Sequence, residues 1–337
     1  MTHSTRLALI GCGKQMRKNL LPFLRRAESE ARAVVCVDPD TEQARRVQAV
    51  TGAPHRYTSV ADLDLGSIDA AIVAVPPEPS ADIAEKLVHK GIHCFVEKPA
   101  GPSTERLRQV AVAAEEVSAD VRVQVGFNFR YADAIRRLHE VSAAARAQPC
   151  SVEIEFFSRH PSAPQWKVPT AIESWIRQNG VHAFDLAQWF VASPIERVVA
   201  HELPGADPDR FMAIVGLYHA NGSHTTLRVG NQTKRFVVNA TVHAADGSVY
   251  TAQSLERVEL VRDGGIPSGA RLFAHKPLDH GWGRSGFGPE LQEFLQACAG
   301  TSWKPTPGLR DALSASMLCD LALEDLTPPS TADSGTM

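Results

Sequence analysis

Arg6-Leu7-Ala8-Leu9-Ile10-Gly11-Cys12-Gly13-Lys14-Gln15-Met16-Arg17-Lys18-Asn19 decides the fold of the first half of the chain. An apolar run breaks at two glycines and restarts with helical periodicity. That sequence of strand, glycine turn and helix N-terminus is the arrangement with which doubly wound α/β domains hold a pyrophosphate. Gly11 permits the tight turn, and Gly13 lets backbone approach an anion without a Cβ in the way. The free N–H groups and the positive end of the helix dipole then face that anion. Met16 stands where the third glycine of the fingerprint is expected. Lys14, Arg17 and Lys18 oppose the helix dipole, which suits a phosphate nearby and equally suits solvated side chains.

The next apolar run, Ala33 to Val37, ends in Asp38, 25 residues beyond Gly13. A second parallel strand should present a carboxylate to the ribose hydroxyls at about this point. A carboxylate there repels a 2′-phosphate, so the expected cofactor is NAD(H) rather than NADP(H). Asp38-Pro39-Asp40 also suits a simple turn after a strand.

The chain has 337 residues, 44% hydrophobic and 22% charged, enough for two domains. A formal net charge of -3 gives no reason to expect nucleic acid or an anionic membrane as partner. No apolar stretch approaches the roughly 18 residues of a membrane span. The segment before the first strand leaves no room for a signal peptide. The six cysteines are scattered without Cys-x-x-Cys spacing, and read as buried thiols in a reducing cytoplasm. No His, Cys or carboxylate cluster has metal-ligand spacing, so no metal is expected.

Residues 6 to 126 alternate short apolar strands (6–11, 33–38, 69–75, 92–97, 121–126) with helical stretches (14–28, 40–51, 79–90, 103–118). This layout predicts parallel βαβ units and a Rossmann-type sheet over 1–126. Gly11 to Gly13, Asp38, Val75-Pro76-Pro77 and Glu97-Lys98-Pro99 all fall at strand carboxyl ends, where such sheets bind ligands. The second half reads differently. A strand-like run at 151–158 and a helix near 180–192 precede β-rich runs at 195–203, 210–219, 223–230, 235–244, 247–252 and 255–262. Asn221-Gly222 and Asp246-Gly247 mark hairpins between them. The expectation is an α+β domain over 127–326 with a large open antiparallel sheet of six or seven strands. One face is free for helices and the other for a partner subunit. Helices are expected at 289–299 and 309–326, and a disordered tail at 327–337.

Gly11-x-Gly13, Asp38, Val75-Pro76-Pro77, Val96-Glu97-Lys98-Pro99, Gly126-Phe127-Asn128-x-Arg130 and Gly180-Val181-His182-x-x-Asp185 occur in one order over residues 6 to 325. This set resembles the glucose-fructose oxidoreductase, inositol dehydrogenase and rhizopine-catabolism (Gfo/Idh/MocA) family. The resemblance implies a nicotinamide-dependent oxidoreductase that interconverts a secondary alcohol and a ketone on a sugar, cyclitol or related molecule. It implies homodimers or homotetramers assembled through the second-domain sheet, and a cis Lys98–Pro99 bond. It also implies catalytic roles for Lys98, as donor to the reacting oxygen, and His182, as acid/base.

Read for themselves, Lys98 also suits a surface lysine after a strand, and His182 with Asp185 a helix-surface pair. The cofactor contacts expected are Gly11, Cys12, Gly13, Lys14, Gln15, Met16, Asp38, Val75, Pro76, Pro77, Glu97 and Lys98. The substrate contacts expected are Gln178, Arg130, Asn128, Asp185 and Trp282, with Arg159, His160, Trp166 and Lys167 in a proline-rich loop as one pocket wall. Two positions depart from the family pattern. Gln178 replaces an aspartate and cannot ionise, and Ser80 replaces a histidine. The altered triad keeps open a tailoring keto-sugar or imine reductase of secondary metabolism. A nucleotide-sensing regulatory protein is the alternative without turnover, and retention of both Lys98 and His182 argues against it.

Overall fold

A computed structural model describes residues 4–24, 31–117, 121–205, 207, 209–261, 270–274, 283–300 and 307–326. Two compact units divide the chain. One comprises Met1–Glu140, Leu255–Val258 and Arg271–Ser314; the other Val141–Ser254, Glu259–Ala270 and Ala315–Met337. The first unit therefore runs past residue 126, the end anticipated from the strand pattern, and takes in a segment near the C-terminus. Packing explains that segment. Leu291, Phe294 and Leu295 of the helix Phe287–Cys298 join the core cluster of the first sheet. The Phe294 ring meets Phe95 edge-on at 5.8 Å.

In the first unit, β1 (Thr5–Ile10), β2 (Ala31–Val37), β3 (His55–Tyr57), β4 (Ala70–Val73), β5 (His93–Val96) and β6 (Val123–Val125) form one sheet. Its order is β3-β2-β1-β4-β5-β6, and every pair is parallel. This is the dinucleotide-binding topology, with its switch point between β1 and β4. All four residues of β4 are buried, as a strand covered on both faces requires. β3 escapes the sequence pattern because it is three residues long, His-Arg-Tyr, with His55 and Arg56 exposed and Tyr57 half-buried at the sheet edge. The helices Thr41–Thr51, Pro77–Val88 and Thr104–Val117 lie close to their expected positions.

The second sheet has eight strands: β7 (Ser151–Phe157), β8 (Ile195–Pro204), β9 (Phe211–His219), β10 (His224–Gly230), β11 (Val237–His243), β12 (Val249–Gln253), β13 (Arg257–Val261) and β14 (Ala270–Ala274). Their order is β14-β13-β12-β11-β7-β10-β9-β8. The expected meander is split, because β7 enters between β11 and β10 and runs parallel to β10. The sheet is thus mixed, and two meanders flank the strand that comes first in sequence. Phe211, Ala213, Val215 and Leu217 of β9 face inward and are fully buried. The opposite face of β8 and β9 carries Val199, Leu203, Ile214 and Tyr218, each 38–44% exposed. Register places these four on one side: Val199 faces Gly216, His201 faces Ile214, and Arg197 faces Tyr218. Residues 327–337 lie outside the described residues.

Candidate active site

At the carboxyl end of β1, the Gly11 N–H donates to the Val37 carbonyl at 2.8 Å. Gly11 has φ +83°, and a Cβ there would lie 2.3 Å from the Ala74 carbonyl oxygen. No other residue fits that position. Gly13 differs: a Cβ built on it meets no protein atom within 4 Å. The chain's own packing does not require that glycine. A five-residue π-helical turn, Met16–Leu20, follows. Such turns are rare and recur at functional sites. Met16 is fully buried in the cluster with Leu9, Leu20 and Ile72. The third glycine of the fingerprint serves close helix–strand packing; here a methionine on a widened turn fills that space. Lys14 is exposed, and Arg17 donates to Gln43 Oε1 at 3.3 Å.

Asp38 closes the glycine turn from the side. Its Oδ2 accepts from the Cys12 N–H at 2.8 Å and its Oδ1 from the Asp40 N–H at 2.9 Å. Asp40 caps the helix Thr41–Thr51, accepting from the Glu42 amide at 2.9 Å. The two aspartates of Asp38-Pro39-Asp40 therefore divide the work between latch and cap. Two accepted bonds leave the Asp38 carboxylate with lone pairs for ribose hydroxyls. A cavity of about 580 Å³ opens here, lined by Gly11, Gly13, Asp38, Gln43, Thr58, Ser59, Val75 and Pro76 among others. It lies over the carboxyl ends of β1, β2 and β4, at the switch point. The bare Gly13 backbone beside a carboxylate and the positive end of a helix fits a dinucleotide.

Glu97 and Lys98 follow β5, and the Lys98–Pro99 bond is cis. Glu97 is 4% exposed and accepts from Gln15 Nε2 at 2.7 Å, while Gln15 Oε1 accepts from Asn19 at 2.6 Å. The residue after the glycine turn is thereby clamped to the end of β5. Burial pushes the Glu97 carboxyl above its ordinary value, opposed by the Gln15 hydrogen bond and the Lys98 charge. Burial pushes the Lys98 ammonium down, opposed by the Glu97 and Glu290 carboxylates. Glu290 was not anticipated from sequence. It is fully buried in the helix Phe287–Cys298, and its carbonyl accepts from Gln124 Nε2 at 3.1 Å. A carboxylate one helical turn from Phe294, on a core-facing stripe, was the signal available.

Asn128 and Arg130 are engaged with the chain itself. Asn128 Nδ2 donates to the Ser285 carbonyl at 2.7 Å, and Arg130 Nη2 pairs with Asp311 at 2.9 Å. Pro77 starts the helix Pro77–Val88, and Ser80 is fully buried within it. Trp282 lies outside the described residues.

In the second unit, Gln178 lies in another π-helical turn, Ile176–Gly180, which runs directly into the helix Val181–Val191. Its Nε2 donates to Gln165 Oε1 at 3.3 Å. His182 and Asp185 are 4% and 1% exposed, so they are not the helix-surface pair that i, i+3 spacing also allows. The His182 ring meets Phe156 of β7 edge-on at 6.1 Å. Among the described residues, no group of three or more His, Cys, Asp or Glu side chains could hold a metal ion. No described helix is long and apolar enough to cross a membrane.

Strand order, glycine turn and strand-end carboxylate define a dinucleotide-binding class of domain, and comparison narrows it. Residues 5–127 match the oxidoreductase family with an NAD-binding Rossmann fold, GFO_IDH_MocA. Inositol 2-dehydrogenase of Arthrobacter sp. (strain FB24) is 29% identical over 199 residues, 59% of this chain and 57% of that protein. Inositol 2-dehydrogenase 4 of Saccharopolyspora erythraea is 30% identical over 199 residues, 57% of this chain and 56% of that protein. The alignments thus span a little over half the length of these relatives. A dehydrogenase from Chromobacterium violaceum superposes with a TM-score of 0.84 at 25% identity, over 94% of each chain. The family model covers residues 5–127, the segment that forms the first sheet, and over the rest of the chain the likeness is to the fold of the solved dehydrogenase.

Proposed function

We propose that this protein is an NAD(H)-dependent dehydrogenase that interconverts a secondary alcohol and a ketone on a sugar or cyclitol. The observation that carries the reading is the open backbone at Gly13 beside Asp38, on the same edge of the sheet as the half-buried Lys98, with β4 between β1 and β5. The inositol 2-dehydrogenase relatives support a polyol as the substrate type. When bound, a nicotinamide supplies or accepts the hydride.

The chain's own residues do the rest. Gly13 to Met16 offer backbone N–H groups to the pyrophosphate, with Gly11 and Cys12 shaping the turn through their bonds to Val37 and Asp38 and with Val75, Pro76 and Pro77 alongside. Asp38 accepts from the ribose hydroxyls and repels a 2′-phosphate, which favours NAD(H). Lys98 donates a charged hydrogen bond to the reacting oxygen, stabilising alkoxide character as it develops. The buried Glu97 and Glu290 carboxylates oppose the desolvation that pushes the lysine down. His182 takes up or returns the hydroxyl proton at a ring nitrogen, a task suited to an imidazole. Gln178 and Asp185 orient the substrate. The buried thiols of Cys12, Cys36, Cys94, Cys150 and Cys319 support a reducing, cytoplasmic setting.

The test is single-turnover hydride transfer across a panel of polyols and keto-sugars, with NADH affinity measured alongside. Lys98→Ala should lose about 10²–10³ in rate, as for other preorganised donors. His182→Ala should lose roughly 10²–10⁴. NADH affinity should change little in either. Wild-type rates in both variants would place the chemistry elsewhere.

A further inference from the structure

A cationic cleft in the second unit includes Arg159, expected from sequence in a pocket wall, and takes no part in the redox chemistry above. It encloses about 550 Å³ and is lined by Arg159, Arg210, Asn231, Gln232, Thr233 and Lys234. Its floor is built rather than incidental. Asn231 is fully buried and ties three segments together. Its Nδ2 donates to the Asp209 carbonyl at 2.7 Å and the Pro161 carbonyl at 3.2 Å, and its Oδ1 accepts from the Phe211 N–H at 3.0 Å. Those segments are the loop after β7, the turn before β9 and the end of β10.

Charge makes the cleft informative. Arg210 Nη1 donates to the carbonyls of Arg159 at 2.8 Å and Asn231 at 3.2 Å, so neutral partners fix the guanidinium. Among the described residues, none of Arg159, Arg210 and Lys234 forms an ion pair. Two acids stand in the preceding turn, Asp207 and Asp209; the Asp207 carboxylate accepts from the Asp209 amide, and neither pairs with these cations. Among the residues that line the cleft none is a carboxylate, so its three cations repel one another, and a concave wall focuses their field. Planar guanidinium forks with an ammonium suit the several oxygens of a phosphoryl group better than one carboxylate.

The cleft also adjoins the turn that carries the proposed chemistry. The His160 carbonyl, next to Arg159, accepts from Asn179 Nδ2 at 2.5 Å. Gln165 of the same loop accepts from Gln178 at 3.3 Å. Both donors belong to the turn leading into His182. We infer that this cleft holds a phosphate or diphosphate group of the substrate, whose sugar end is the part oxidised or reduced. The inference rests on the redox reading and narrows its substrate class to a sugar or cyclitol that carries a phosphate or diphosphate.

Calorimetric titration with sodium pyrophosphate and with UDP, with and without saturating NADH, tests it. Arg159 and Lys234 are exposed, so Arg159→Ala/Lys234→Ala leaves the floor intact. The wild type should bind one or both anions, more weakly at about 200 mM than at about 50 mM salt. The double variant should bind at least about tenfold more weakly, the effect of losing charged hydrogen bonds, with NADH affinity unchanged. UDP binding much more tightly than pyrophosphate assigns the phosphates to a nucleotide sugar; equal binding assigns them to a sugar phosphate. No binding at millimolar anion, or equal binding by the double variant, overturns the cleft. A chain that binds NADH but neither anion loses only this inference. A chain that binds the anions at the cleft but no NADH loses only the redox reading.

Discussion

Single residues at the glycine turn separate cofactor binding from folding. Gly11 has φ +83° and a neighbouring backbone oxygen 2.3 Å from any added Cβ, whereas Gly13 has open space. Gly11→Ala should therefore destabilise the fold by several kcal/mol, through strain and overpacking together. Gly13→Ala should leave the melting temperature nearly unchanged while NADH affinity falls. Thermal melts and NADH titration of the two variants check this; equal melting temperatures would refute the distinction. Asp38 combines both roles, since its carboxylate holds the Cys12 amide as well as facing the cavity. Asp38→Ala should weaken NADH binding by about 10-fold or more, the usual cost of a lost charged hydrogen bond. It should also narrow the preference over NADPH. A wild type that binds NADPH ten times more tightly would overturn the assignment.

Whole elements carry the electrostatics. The end of β5, the π-helical turn and the helix Phe287–Cys298 surround Glu97 and Lys98 with two buried carboxylates and one ammonium. Burial holds the Glu97 carboxyl above the roughly 4.3 of an unfolded glutamate. The folded state therefore retains that proton more firmly than the unfolded state. Its contribution to stability is full below the unfolded value and is lost as pH rises through the folded one. From about pH 4 upward, the wild type should lose stability relative to Glu97→Gln. Parallel melting curves would show that Glu97 does not titrate this way. Glu290 acts in the opposite sense on Lys98, because its charge favours the ammonium. Glu290→Gln should shift the alkaline limb of the kcat/KM profile to lower pH, and an unmoved limb would exclude it as a partner of Lys98.

At the scale of the whole molecule, the outer face of β8 and β9 bears on assembly. Val199, Leu203, Ile214 and Tyr218 form an apolar row there, beside the Arg197 guanidinium stacked 3.8 Å from the Tyr218 ring centroid. A row of this kind on an open sheet suits a second copy of the same chain. Val199→Glu combined with Ile214→Glu should shift the protein to monomer in analytical ultracentrifugation, with little change in melting temperature. A wild type that is already monomeric at micromolar concentration would rule out assembly through this face.

Local patterns in the sequence determined the first sheet, the positions of its ligand-facing strand ends and the two-glycine turn. Parallel strands buried on both faces must be written as continuous apolar runs, so their ends show where the site residues fall. Lys98 and His182 are proposed for the chemistry from motifs at fixed spacing. Tertiary structure alone decided the rest. β7 could be placed between β10 and β11 only through long-range pairing, which alternation does not encode. Glu290 enters the surroundings of Lys98 because a helix nearly two hundred residues later packs on the same sheet. Asn128 and Arg130 resemble site residues in sequence, yet their polar groups are bonded to Ser285 and Asp311. The cationic cleft joins residues 159, 210 and 234 from three separate strand ends. Short-range periodicity reports which side of an element is buried; it cannot report which distant side chain fills the space or shares the field.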